Sequence, residues 1–215
     1  KGISHPWLLS GSNATKPERR AARVRTPADD PGADLSQSDG GFGPSVGGMT
    51  GAWGAAWWDA GVDRSDPPSD TAAGICPDPS SNNIAEFYGF RAALRRALRK
   101  RPHRLVFELD SLLIVMMMKG RWGCHRAHLR VLLAECHDMG VQLTRAGCHW
   151  EIRHVYRAFN TVADGLAGDC LNDPDTAHGW RLETFPDSES DSEWSSLTES
   201  TTASGSEPSG ASTPP

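Results

Sequence analysis

The chain of 215 residues is 38% hydrophobic, holds 22 glycines and 15 prolines, and carries a formal net charge of −5. That apolar content is too thin for a chain packed from end to end, so the length suits one core with polar ends. No apolar run approaches the roughly 20 residues that span a bilayer, so no membrane partner is expected.

The first 33 residues are polar and contain the basic piece KPERRAARVR, which reads as a flexible arm. The glycine-rich DGGFGPSVGGMTGAWGAAWW begins as a loop and becomes the apolar strand AWGAAWW. A Pro/Asp-rich loop follows through DRSDPPSD. NNIAEFYGFRAALRRALRK then places Phe87, Phe90, Leu94 and Leu98 at helical spacing with arginines on the other face, and Pro102 stops it. RLVFEL reads as a buried strand and SLLIVMMM as a buried helix. AHLRVLLAECHDMG is an amphipathic helix closed by Gly140, CHWEIRHVYR a strand, and TVADGLAGDCL a final helix. Strands, helix, strand, two helices, strand and helix in that order imply an α/β layer fold around one sheet. From about residue 173 the chain turns rich in Ser, Thr, Glu, Gly and Pro, and such a segment is expected to stay disordered. The organisation is therefore an arm over 1–33, a domain over 34–172 and an acidic tail over 173–215, whose charge masks a basic core.

Carboxylates in apolar surroundings are the informative positions. Asp110 lies at the carboxyl end of RLVFEL, where open α/β sheets bind ligands. Glu86 falls in the first turn of its helix among Ile84, Ala85 and Phe87, and Asp39 opens the DGG turn after the first strand. Asp164 sits in the first turn of the last helix, a position that the helix dipole favours by itself.

Taken together, NNIAEFYGFRAAL, FELDSLLIV and RHVYRAFNTVADGLA resemble the later three acidic motifs of type I ribonuclease H, and SDGGFGPSVGGMTGAWGAAWW resembles the first. The resemblance covers nearly all of 39–172. It implies the ribonuclease H-like fold, a central mixed β-sheet flanked by helices, and hydrolysis of the RNA strand of RNA–DNA hybrids. It further implies that Asp39, Glu86, Asp110 and Asp164 hold two Mg²⁺ or Mn²⁺ ions. Four carboxylates brought together repel unless cations neutralise them, and oxygen-only ligands suit those hard ions. Two such ions about 4 Å apart can support in-line displacement at phosphorus. His154, ten residues before Asp164, has the spacing of the family's auxiliary proton-transfer histidine.

For the substrate, the resemblance points to Gly40, Asn82, Asn83 and Ser111 beside the 2′-hydroxyls and to Lys119, Arg121, Trp122 and Arg126 along the phosphates. A second basic stretch, RAALRRALRKRPHR, reads equally as a solvated helix face. The sequence departs from the family pattern before Asp39, where ADLSQSD offers Leu35 as its one large apolar residue, and again around the proline-rich 61–81. A domain that keeps the fold and binds nucleic acid without cleaving it is the alternative these departures suggest. Cys124, His128, Cys136, His137, Cys148 and His149 are zinc-ligand types, but their spacing matches no compact finger. The five cysteines form no CxxC pair, so reduced thiols in an intracellular protein are expected, with nucleus and cytoplasm both open. A start at Lys1 suggests a piece of a longer protein, for which a reverse transcriptase polyprotein is one setting.

Overall fold

The computed structural model describes residues 31–45, 48–77 and 80–181. Strands β1 (Asp34–Ser45), β2 (Gly48–Trp58) and β3 (Asp70–Ile75) come first, then helix α1 (Asn82–Lys100) and β4 (Arg104–Leu109). Helices α2 (Leu112–Met118) and α3 (Ala127–Arg145), strand β5 (His149–His154), a 3₁₀ turn (Arg157–Phe159) and α4 (Thr161–Asn172) follow. The sheet order is β3-β2-β1-β4-β5. β1 and β3 run antiparallel to β2, whereas β4 runs parallel to both β1 and β5. The sheet is therefore mixed, as expected, with its parallel half fed by helical crossovers.

The glycine-rich stretch corrects the sequence reading. Its described residues are strand: DGGFGPS continues β1 to Ser45 and pairs residue for residue with β2, so Asp39 sits mid-strand, opposite Gly54. The glycines serve packing. A Cβ on Gly40 would lie 2.0 Å from the Glu86 backbone nitrogen, and one on Gly89 would lie 2.6 Å from the Asp39 carbonyl, so α1 and β1 meet backbone to backbone. On the other face a Cβ on Gly41 would touch Leu171, and one on Gly54 would lie 2.4 Å from the Ala163 carbonyl, where α4 seats. Successive β1 residues thus face different helices, as strand alternation requires.

Nor is β1 weak. Asp34, Ser36, Gln37, Ser38 and Asp39 are all buried, and most of them are paired: Ser36 Oγ donates to the Ala56 carbonyl and Trp57 Nε1 to Asp34. β3 forms from DTAAGI, whose small residues fit beneath α4, with Asp70 gripping buried Arg96 at 3.0 Å. Arg96 therefore leaves the solvated arginine face expected for α1. The main core joins Phe87, Phe90 and Leu94 of α1 to Leu105 and Phe107 of β4 and to Leu132, Cys136 and Leu143 of α3. Phe90 meets Phe107 edge-on at 5.3 Å.

Two boundaries move. α3 runs through Gly140 to Arg145, because Gly140 makes room for Trp150, which a Cβ there would meet at 2.6 Å. The positive φ that closes a helix is taken instead by Gly147, at +84°. The ordered chain also passes 172: His178 bridges Ala73 on β3, and Trp180 is buried edge-on against Trp57 with Nε1 on the Ala92 carbonyl. The Arg181 N–H donates to Asp70. Polar surroundings conceal this strap in the sequence. Residues 1–30 and 182–215, to which most of the arm and tail assignments apply, lie outside the described residues.

Trp180→Ala removes the strap's buried anchor and is expected to cost about 3 kcal/mol. Urea unfolding followed by fluorescence checks this; an unchanged midpoint would mean the strap adds no stability.

Candidate active site

β4 ends at Leu109, whose partner on β1 is Ser38. Beyond that pair β1 has no β4 neighbour, and at this notch three carboxylates meet. Asp39 comes from β1, Asp110 from the residue after β4, and Glu86 from α1, with one oxygen of each within 4.8 Å of the others. Glu86 lies in the second turn of α1, not the first: Ser81 is the N-cap and the first turn holds no acid. A favourable helix dipole therefore does not explain its position, and its side chain is buried.

The cluster is electrostatically uncomfortable without a cation. Asp39 is pushed up to about 8, first by burial and then by the Asp110 charge, with Asp164 adding to it. Glu86 is pushed up to about 9 by burial and then by Asp39 and Asp110. Asp39 Oδ1 accepts the Gly40 N–H at 2.7 Å, but Asp39 Oδ2 and Glu86 Oε2 are buried without hydrogen-bond partners. Orphaned carboxylate oxygens aimed at one point suit a hard divalent cation, which supplies the missing charge and coordination. Among the described residues no other group of three metal-ligating side chains gathers this closely. The zinc-type residues do not: Cys136 and Cys148 are buried, and burial pushes their thiols up to about 12 and about 11.

Asp164 falls in the first turn of α4 as expected, close enough to affect Asp39, and pairs with Arg157. His154 is exposed at the end of β5, with Nε2 3.1 Å from the Asp110 carbonyl. A carbonyl can only accept, so that nitrogen donates and Nδ1 is left as the basic one. Gly40 is buried under α1, with its N–H donated to Asp39 Oδ1. Asn82 and Asn83 open α1, and Ser111 occupies the N-cap position of α2 without making a capping bond. Lys119, Arg121, Trp122 and Arg126 are exposed in the α2–α3 segment, with the Arg121 and Trp122 N–H groups held by the Met116 carbonyl.

Two residues escaped the sequence reading. Asn160 is fully buried and donates through Nδ2 to the Ser38 carbonyl at 2.9 Å and to Asp110 Oδ1 at 3.2 Å. Glu108, fully buried inside an apolar-looking strand, pairs with Arg64 at 3.0 Å and accepts from Gln37 at 3.1 Å. Asn160 lay within a quoted motif; Glu108 carried no signal beyond an acid in a strand.

Comparison with known proteins agrees with this architecture. Residues 70–170 match the reverse transcriptase-like family. The Mycobacterium tuberculosis "Bifunctional protein Rv2228c" is 33% identical over 93 residues, which are 43% of this chain and 24% of that protein. The solved N-terminal RNase H domain of that protein superposes with a TM-score of 0.55 at 26% identity, covering 65% of this chain and 93% of that domain. The described domain has the ribonuclease H fold and is similar to RNase H domains of known structure. RNase H1 from Halobacterium salinarum NRC-1 shares the fold at 24% identity and TM-score 0.53, over 65% of this chain and 97% of the other. LC11-RNase H1, solved in complex with an RNA/DNA hybrid, shares it at 18% identity and TM-score 0.53, over 64% and 96%. The chain spans about a quarter of the length of the curated relatives it matches. No helix among its described residues is long and apolar enough to cross a membrane.

Because the folded state holds protons on Asp39 and Glu86 that the unfolded chain releases near the ordinary value, these two groups make metal-free stability fall as pH rises from about 4 toward 8. In chelator, Asp39→Asn should melt with wild type at pH 5 and above it at pH 8. Mg²⁺ should raise the wild-type melting temperature more at pH 8 than at pH 5. Scanning calorimetry reads both, and equal shifts at the two pH values would contradict the burial-driven proton uptake.

Proposed function

We propose that this domain hydrolyses the RNA strand of RNA–DNA hybrids, using two divalent cations, Mg²⁺ or Mn²⁺, held by Asp39, Glu86, Asp110 and Asp164. The observation that carries this reading is the meeting of three carboxylates from β1, α1 and the end of β4 within 4.8 Å. Divalent ions bound there supply charge neutralisation and Lewis-acid polarisation of a phosphodiester.

The chain's own residues supply position and protons. Asn160 holds one oxygen of Asp110 through its Nδ2 hydrogen bond and so fixes the carboxylate at the notch. His154, held by its bond to the Asp110 carbonyl, offers Nδ1 to take up or pass a proton beside the site. Lys119, Arg121 and Arg126 contact the backbone phosphates and Trp122, 45% exposed, stacks on a sugar or base. Asn82, Asn83 and Ser111, at the N-termini of α1 and α2, read the 2′-hydroxyls that distinguish RNA. The alternative of a binder that has lost cleavage drew on the weak first strand and the proline-rich 61–81; β1 is paired along both edges and 70–75 forms β3, which favours the first reading.

The test is cleavage of a labelled RNA–DNA hybrid with Mg²⁺ or Mn²⁺, beside duplex DNA and duplex RNA. Hybrid-specific cleavage leaving 5′-phosphate and 3′-hydroxyl ends is expected, with Asp110→Asn folded and inactive; an active Asp110→Asn would overturn the assignment. Asn160→Ala should lower kcat about 10- to 100-fold with KM little changed, because it loosens a ligand without touching substrate. A loss confined to KM would count against its role in holding Asp110.

A further inference from the structure

The two edges of the sheet differ. Along β3 lies the strap that carries His178, whereas β5, among the described residues, has β4 as its strand neighbour and none beyond. The His149 N–H donates to the His103 carbonyl and the Val155 N–H to the Leu109 carbonyl, so odd-numbered residues of β5 turn their backbone groups toward β4. Alternation along a parallel pair then turns those of Trp150, Ile152 and His154 outward, where no described residue bonds them. Side chains of successive residues stand on opposite faces. The Trp150 ring meets Phe107 edge-on and Ile152 is buried, so Glu151 and Arg153 share the other face, where they form an ion pair. An open edge is commonly blunted by a short strand and by charge. β5 is short, but its two charges have opposite signs and stand two residues apart, which makes the edge complementary to itself.

We propose that β5 is a self-association edge: two copies of this chain pair their β5 strands antiparallel, about a two-fold axis at Ile152. Centred there, the pairing uses all three outward residues. Ile152 faces its own copy and Trp150 faces His154, giving about six backbone hydrogen bonds. Between them, Glu151 of each chain lies directly opposite Arg153 of the other. Those are the closely spaced positions without a hydrogen bond, where facing side chains approach most. Centring one residue earlier or later sets Glu151 against Glu151 or Arg153 against Arg153, and like charges directly opposite oppose both registers. The same two charges therefore select one partner and one register. The carboxylate notch lies beyond the carboxyl end of β4, which runs parallel to β5, so the two sites come to opposite ends of a joined sheet.

Sedimentation velocity of the full chain, from micromolar to millimolar concentration, tests this with wild type, E151R and R153E. Wild type is expected to form a dimer whose share rises with concentration and falls with added salt. Each variant sets like charges opposite each other and should weaken the dimer about tenfold or more. An equimolar mixture of E151R and R153E should recover a mixed dimer, because every facing pair then has opposite signs. Hydrogen exchange followed by NMR should show the Trp150, Ile152 and His154 amides protected at concentrations that populate the dimer and unprotected on dilution. A wild type that stays monomeric at millimolar concentration would overturn the proposal. So would a dimer that survives both charge reversals, or one that leaves those three amides exchanging as in the monomer, since another surface would then hold it. Amides protected at every dilution would mean that a segment of the same chain covers the edge, which also rules the proposal out. Matching near-ultraviolet dichroism establishes that each variant is folded.

Discussion

The structure depends on a contact that contains no side chain. Gly40 and Gly89 let α1 lie directly on β1, and Gly54 lets α4 do the same from the opposite face. A methyl group at any of these points would drive a helix away from the strand by contact with backbone, which has nowhere to move. Glu86 rides on one helix and Asp164 on the other, with Asp39 on the strand between. The spacing of the carboxylates is therefore set by glycine, and the repulsion among them is overcome by the apolar packing of Phe87, Phe90 and Leu94 a turn or more away.

A polar framework then refines what packing positions. Glu108 binds Arg64 of the β2–β3 connection and Gln37 of β1, and Gln37 also holds the turn before α4. Asn160 joins that turn to Ser38 and to Asp110. Buried polar groups linked in this way cost stability when any one member is lost, and in return they admit few alternative arrangements. The region next to the carboxylates is thus ordered by directional bonds, while the far face of the sheet is ordered by oil.

Helix α1, strand β4 and the four acids could be read from the sequence because each announces itself locally, by 3.6-residue periodicity or by an acid at the end of an apolar run. β1 could not. Its Asp34, Ser36, Gln37 and Ser38 look like surface, and their partners Trp57, Ala56, Glu108 and Asn160 lie far along the chain. Gly140 looked like a helix stop because the ring it accommodates, Trp150, belongs to the next strand. Arg157 and Asn160 were visible as residue types but not as contacts, since a side chain's direction at a turn follows from what anchors the turn. Trp180 was hidden by composition: one buried ring in a polar stretch leaves no periodicity.

The strap that ends in Trp180 also bears on how the molecule meets its own copies. β3 is an edge strand, and edge strands expose backbone groups that can recruit a strand from another chain. Ala73, near the middle of β3, exchanges both of its outward backbone bonds with His178, and Thr71 binds the same histidine's ring. A chain cut at Asn172 would leave that stretch open as a template for aggregation. The nine residues from Asp173 to Arg181 are thus a selvedge, finishing a border of the sheet that would otherwise fray into its neighbours.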